Sequence, residues 1–380
     1  MPRTLLSAKG NTDFPGPNLA LAMRSRNAEE CSQLRFRITA MTSARHLFPI
    51  FVRQGKGLTR FKVGYIDHQG QVLIDPIFDE GTRFYEGLAA VKVKGRWGVI
   101  NADGSFVIQP KSWGWCRFRE GFASISVKGN WGVIDRNGNF IVEPRYDYVG
   151  PFKEGLALIR VGESEKARYG FIDKTGVEVI PPKLHGAKDF SDGLAAAKVV
   201  NLWGYIVSSG AFKITPRFDG TGSGKRWPDT RAGYFVKGLA PVWAGQDYYR
   251  FIDTTGCFAF EDGFDGANSF SEGRAVVKRG KHFGFIDTEG RMAIECRFTL
   301  ARDFSEGLAE VEEKEPRVGF SPPSGFIDLE GQMVIQPTFC SALSFQNGLS
   351  LVTTEDSIGY INKLGEFVWQ GPYVEYGVLC

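Results

Sequence analysis

Histidine, paired cysteine and long apolar runs are what this sequence lacks. Only 4 His occur in 380 residues. His46, His68, His185 and His282 are scattered with no HxH or HExxH spacing, which excludes the common histidine metal sites. The six cysteines (Cys31, Cys116, Cys257, Cys296, Cys340 and Cys380) contain no CxxC pair. Their spacing writes neither a zinc knuckle nor a disulfide framework, and they read as free thiols. No apolar run reaches the roughly 18 residues of a membrane-spanning helix. The "LALAM" stretch is short and is followed by Arg24 and Arg26, so no secretory apolar region is evident. A cytoplasmic protein is expected, with a secreted or periplasmic one only if the start codon is mis-called. GxSxG elbows, Walker A loops and strand-following GxGxxG turns are also missing. "GSGK" at 222–225 lacks the earlier Gly and the Ser or Thr after the Lys. No cofactor and no metal ligand set is expected, and no catalytic residue can be named.

What the chain has in excess is Gly (47) and Phe (31). With scattered Val and Ile, these suggest many short strands joined by tight turns, an all-β composition. The net charge of +3 conceals an asymmetry. Residues 1–62 hold eleven Lys and Arg against three Asp and Glu, and the remainder holds 35 against 40. Residues 1–46 show neither helical nor strand period and read as a basic, disordered arm. Residues 47–380 are a different material.

From residue 63 onward one pattern repeats. A Gly in a "G-hydrophobic-Ile-Asp" segment is followed six residues later by another Gly: Gly64 and Gly70, Gly98 and Gly104, Gly132 and Gly138, and so on to Gly359 and Gly365. One further copy has Arg250 in place of the first Gly and keeps Gly256, giving nine. Successive copies are 34, 34, 38, 34, 46, 34, 41 and 34 residues apart, the mark of a solenoid or propeller.

Each copy reads as a hairpin around Asp-x-x-Gly. Asp135 and its equivalents cap the turn while the Gly supplies positive φ. Pro76, Pro110, Pro144, Pro182, Pro216 or Pro337 follows twelve residues after the first Gly and is expected to end the second strand. Asp262, Cys296 and Gly371 replace it in other copies, where looser strand ends are expected. A Phe three residues before a Gly recurs eight times, from Phe84 and Gly87 to Phe345 and Gly348, and reads as a plug between neighbouring units. The acid before that Gly becomes Lys237 and Asn347 in two copies, which suggests a surface turn without a shared duty. Each unit is thus at least a three-stranded antiparallel meander, with a fourth short strand expected in "RYDYV" (145–149).

"GLAAVKVKGRWGVINADGSFVIQP" and "EGFASISVKGNWGVIDRNGNFIVEPRYD" resemble the WG (KWG) β-repeat family, mainly of bacteria, over about residues 48–370. The resemblance implies a tandem β-repeat array with no general enzymatic activity and no catalytic residues to carry over. The expected architecture is about nine antiparallel meanders, a propeller-like ring favoured over an open solenoid, with "FPIFVRQ" (48–54) a degenerate copy or a cap.

Function must then lie where the copies differ. Three insertions stand out: 162–168, 220–233 and 312–324. The second is basic and aromatic, and Lys225, Arg226, Trp227 and Arg231 form a candidate binding loop. Trp113, Trp115 and Trp243 are a candidate aromatic platform for a glycan, with core packing the favoured reading of them. The expectation is a non-enzymatic scaffold for a protein or peptide partner. The rival is a propeller-type enzyme or lectin acting on a polysaccharide, with Asp229, Glu261 and Asp262 as its carboxylates. A third reading, nucleic-acid contact through the basic arm, is disfavoured by the near-neutral array.

Overall fold

The structure, a computed structural model, describes residues 46–53, 61–114, 116–219, 232–245, 248–313 and 322–372. The chain divides into two compact units, Met1–Arg45 and His46–Cys380, and every described residue belongs to the second. The arm expected at 1–46 lies outside the described residues apart from His46. So do Lys225, Arg226, Trp227, Asp229, Arg231 and Trp115.

The turns fold as the pattern predicts. Asp135 Oδ1 accepts the N–H groups of Asn137 and Asn139, both at 2.9 Å, and Gly138 closes the hairpin at φ 82°. The same geometry recurs at Asp67, Asn101, Asp173, Asp253, Asp287, Asp328 and Asn362.

The first Gly of each hairpin answers a different demand. Trp131 pairs with Tyr146 and Val133 with Val142, so one residue on the central strand faces three on the outer strand. In this bulge a Cβ on Gly132 would lie 2.4 Å from the Val142 carbonyl oxygen, so a side chain is excluded there. Pro144 sits between the paired positions Val142 and Tyr146, inside the strand Phe140–Tyr146. The proline therefore does not end the strand. It is tolerated because this is the sheet's edge, where a missing N–H costs no ladder bond. With Cys296 in that place the strand Met292–Phe298 is equally long, so the looser end expected there is absent.

Among the described residues the strands form nine antiparallel sheets, numbered here in chain order. Sheet 1 (48–78) has three strands, sheet 6 (239–253) has two, and the other seven have four. In six of the seven four-stranded sheets the first strand has two residues, as Gly186–Ala187 does in sheet 5. The boundary between sheets falls inside "RYDYV": Phe140–Tyr146 ends sheet 3, and Tyr148–Lys153 begins sheet 4.

Sheet 6 shows what the missing Gly does. Arg250 puts a side chain where the outer strand would bulge across, and residues 257–264 pair with the sheet only as isolated bridges, Ile252↔Phe258 and Tyr249↔Phe264. Arg250 itself lies over the Phe258 ring at 3.9 Å and donates to the Phe260 carbonyl at 2.6 Å.

Nine apolar clusters fill the nine seams between neighbouring sheets, including the seam that joins sheet 9 back to sheet 1. There Phe48, Ile50 and Ile66 pack against Leu349, Leu351 and Tyr360. The array is thus a closed propeller-like ring.

The repeated Phe is the plug of these seams. It packs on an aromatic of the preceding sheet in seven of them: Tyr65–Phe84, Phe122–Phe152, Phe171–Phe190, Tyr205–Phe235, Phe251–Phe270, Phe285–Phe304 and Phe326–Phe345, with centroids 4.7–5.2 Å apart. Nine seams share eight such Phe residues, and in the sequence Ser43 stands at the ninth plug's register. Among the described residues Phe48 packs in this seam from another position. Its register is occupied in the other sheets by small buried residues, Ala89, Ala123, Ala157, Ala195, Ala240, Ala275, Ala309 and Ser350. Its ring lies 5.3 Å from that of Tyr360.

Candidate functional site

The turn leading into each sheet holds the plug Phe on a two-residue hairpin. Tyr85 and Leu88 exchange backbone hydrogen bonds at 2.8 and 3.0 Å around Glu86 and Gly87, whose φ angles are 51° and 78°. Two successive positive φ values make a type I′ turn, which suits Gly at the second position and strains Glu at the first.

The carboxylate explains why an acid stands in that strained place. Glu86 accepts the N–H groups of Glu120 and Gly121, at 2.5 and 2.9 Å, from the same turn one repeat on. Glu120 then accepts from Gly155, Glu154 from Gly193, Asp192 from Gly238, Glu272 from Glu306 and Gly307, and Glu306 from Gly348. Arg136, Lys174 and Lys363, each one residue after a turn Asp or Asn, close on Glu86, Glu120 and Glu306 at 3.0–3.4 Å. The acid therefore carries a duty between repeats, contrary to the sequence reading. The relay breaks at Lys237, which has no oxygen to accept the next turn's N–H.

These turns converge. Lys153 of sheet 4 pairs with Asp189 of sheet 5 at 2.9 Å and lies 5.0 Å from the centre of the Tyr234 ring, which leads into sheet 6. Lys188 reaches the same ring at 5.6 Å. A contact that skips a sheet needs a short circumference, so the turns form the inner rim of the ring.

The residue before the plug Phe faces this rim, and its identity changes at nearly every copy: Arg83, Arg117, Pro151, Asp189, Tyr234, Ser269, Asp303 and Ser344. Asp303 donates nothing but accepts from Asn268 Nδ2 at 2.8 Å, and burial pushes its carboxyl above the usual range.

On the arc around the closing seam lies a cavity of about 380 Å³, walled by Arg83, Tyr85 and Arg117 on one side and by Ser305, Leu343, Ser344, Phe345 and Gln346 on the other. Arg83 Nη1 donates to Gln346 Oε1 at 2.6 Å, bridging sheets 2 and 9. Arg117 stacks on the Tyr85 ring at 4.2 Å, and its buried Nε has no hydrogen-bond partner. Among the described residues no acidic side chain lines this cavity. Sequence reasoning missed it. The available signal was a variable position lying directly before the constant plug Phe.

Of the sequence-predicted site residues, Trp113, Trp243, Glu261 and Asp262 lie among the described ones, and these do not come together. Trp243 is buried in the seam between sheets 6 and 7, where it packs on Tyr249 at 5.0 Å, so it offers no face to a sugar. Trp113 lies in the seam between sheets 2 and 3, edge-on to Phe140 at 6.1 Å with Lys111 Nζ 4.5 Å over its ring. The two tryptophans form no common platform. Asp262 is exposed and paired with Arg279 at 2.7 Å, and Glu261 beside it is exposed. Among the described residues no group of three His, Cys, Asp or Glu could hold a metal ion, and no helix is long and apolar enough to cross a membrane.

Comparison with known proteins places the repeat. The family described as "WG containing repeat" matches residues 64–97, 97–131, 131–163, 169–203, 249–281, 283–315 and 325–356. No curated protein matches the chain. Among solved structures the ring is similar to BamB from Moraxella catarrhalis, at 12% identity and a TM-score of 0.40, covering 76% of this chain and 97% of that one. It is also similar to Kluyveromyces lactis Hsv2, at 10% identity and a TM-score of 0.35, covering 70% and 89%. Both likenesses are too distant to transfer a site.

Proposed function

We propose that this chain, which belongs to the WG-repeat family, is a non-enzymatic scaffold whose ring binds a protein or peptide partner at its inner rim. The observation that carries the reading is the division of labour within each turn. Plug Phe and Gly are fixed by packing and backbone geometry. The residue before the Phe varies from Arg through Pro, Tyr and Ser to Asp and lines the rim. A constant frame presenting a variable inner surface is how repeat arrays build recognition.

The turn carboxylates favour binding over catalysis. At Asp173 and Asp253 the Thr175 and Thr255 hydroxyls, with backbone N–H groups, hold the carboxyl below its ordinary range, and at Asp135 and Asp287 burial is outweighed by N–H groups to the same effect. A general acid needs the opposite shift. Trp243, one of the three tryptophans of the sugar reading, is buried in the core.

Site-specific photo-crosslinking tests this. A benzophenone amino acid at Tyr85, on the rim, is compared with one at Ile77, which is 61% exposed on the outer strand of sheet 1. With the full chain expressed in its source cell, the rim position is expected to capture one defined protein and the outer position none. Capture from Ile77 alone would move the binding surface to the outside of the ring.

A further inference from the structure

We infer that the cavity bounded by Arg83 and Arg117 is a carboxylate subsite that anchors an acidic residue or the C-terminus of a peptide held on the inner rim. The inference rests on the scaffold reading above and names the chemistry of its ligand.

The arginines are the starting point. Four arginines among the described residues have a buried Nε without a partner: Arg117, Arg160, Arg250 and Arg274. Three of them satisfy a terminal nitrogen on a backbone carbonyl: Arg160 on Asp147, Arg250 on Phe260 and Arg274 on Gly273. Arg117 makes no hydrogen bond or ion pair with a described residue and is held only by its stack on Tyr85. By contrast Lys153, on the rim, is paired with Asp189 at 2.9 Å, and Arg302, two residues before a plug Phe, with Glu310 at 2.7 Å. A guanidinium kept in place by a ring stack, with its donors uncommitted and no acid in reach, is preorganised for an anion.

Arg83 supplies a second positive charge, and Gln346 holds its orientation through one terminal nitrogen. The remaining nitrogens of both arginines are free to fork onto a planar oxyanion. Ser305, Ser344 and the Gln346 amide add neutral hydrogen-bonding groups on the facing wall. The rest of the lining is carbon: the Tyr85 ring, Leu343 and Phe345. Inorganic phosphate would leave that carbon wall uncovered, whereas a carboxylate carried on a side chain or chain end covers both surfaces.

The position suits a peptide as well. The walls come from turns leading into sheets 2 and 3 on one side and sheets 8 and 9 on the other. Between them lies the one sheet whose lead-in lacks the Phe-x-x-Gly motif in the sequence. An extended chain lying across this arc would meet donors on both banks of the cavity.

A random peptide library panned against the intact chain tests the inference, with R83Q and R117Q single variants as counter-targets and thermal melting to confirm that they fold. Selected peptides are expected to share an Asp, a Glu or a free C-terminus at a fixed position. Exchange of that carboxylate for its amide, and either Arg→Gln change, should each weaken binding about tenfold or more, the worth of one charge-assisted hydrogen bond. R117K, which keeps the charge and loses the fork, should recover only part of the loss. Excess phosphate should compete weakly. Peptides that bind R83Q and R117Q as well as the parent would overturn the subsite while leaving peptide binding at the rim intact. Peptides displaced completely by phosphate would make this a phosphate site. If no peptide is enriched, both the subsite and the peptide-scaffold reading fall.

Discussion

The Tyr360 hydroxyl donates to the Pro49 carbonyl at 3.0 Å, across 311 positions of sequence, and so ties the last sheet to the first. Tyr65 and Tyr205, at the same place in their repeats, donate to Thr82 and Gly233 at 3.0 and 2.9 Å across ordinary seams. Burial pushes all three hydroxyls above the usual tyrosine range. The closing seam is therefore built with the same bond as the continuous ones, though no strand crosses it. Tyr360→Phe should cost about 1 kcal/mol, the worth of one buried hydrogen bond. It should also speed amide exchange selectively in the strand Phe48–Arg53. Equal acceleration around the whole ring would mean that closure is not a local event.

The bulge makes a sharper claim. A Cβ on Gly204 would sit 2.4 Å from the Ile214 carbonyl oxygen, closer than non-bonded atoms approach, so Gly204→Ala should destabilise by roughly 1–3 kcal/mol. Gly204→Arg should go further and strip the strand Phe212–Asp219 from sheet 5, leaving it without its outer strand as in sheet 6. Exchange protection at Ile214 reports this directly, and a protected Ile214 in the arginine variant would refute the account of Arg250.

Much of the ring could be read before any coordinates, because the repeated residues do local work. Asp-x-x-Gly closes a hairpin within seven residues, and the plug Phe marks each seam. The prolines misled because an edge strand and a strand end tolerate proline for the same reason. The relay acids misled in another way. Lys237 and Asn347 looked like proof of no duty, yet each acid serves only its neighbour, so a gap at Lys237 leaves Glu272 and Glu306 bonded. The cavity was invisible for want of a period: Arg83 and Arg117 are ordinary surface residues until closure brings Gln346 and Ser305 against them.

Lys237 gives the relay a test of its own. Its side chain stands where six other repeats place a carboxylate, and it leaves the N–H groups of Glu272 and Gly273 without the acceptor their equivalents have. Lys237→Glu should stabilise the ring by about 0.5–1 kcal/mol in urea unfolding, a modest gain because the turn is exposed. Glu272→Gln should cost a similar amount by weakening the acceptor of Glu306 and Gly307. A neutral or destabilising Lys237→Glu would mean that the strained first position of the turn, and not the bond, sets the balance.

Acid should open this ring through its turns. At Asp173 and Asp253 the hydroxyls of Thr175 and Thr255, helped by backbone N–H groups, hold the carboxyl below its ordinary range. At Asp135 and Asp287 burial acts to raise it but is outweighed by the N–H groups of Asn139 and Arg291. At Glu120 burial is likewise outweighed by Lys174 and the Gly155 N–H. Each folded-state value thus lies below the unfolded one. The stability these groups contribute is complete above the unfolded carboxylate range, about pH 4, and is lost as pH falls through their folded values. Melting temperature should therefore be flat near neutrality and drop below about pH 4. Asn101 and Asn362 show that an amide can cap the same turn. Replacing Asp135, Asp173, Asp253 and Asp287 together by Asn should keep the fold near neutral pH and flatten the acid limb. An unchanged acid limb in that variant would assign the pH dependence to the relay acids, with Glu120→Gln the next change to make.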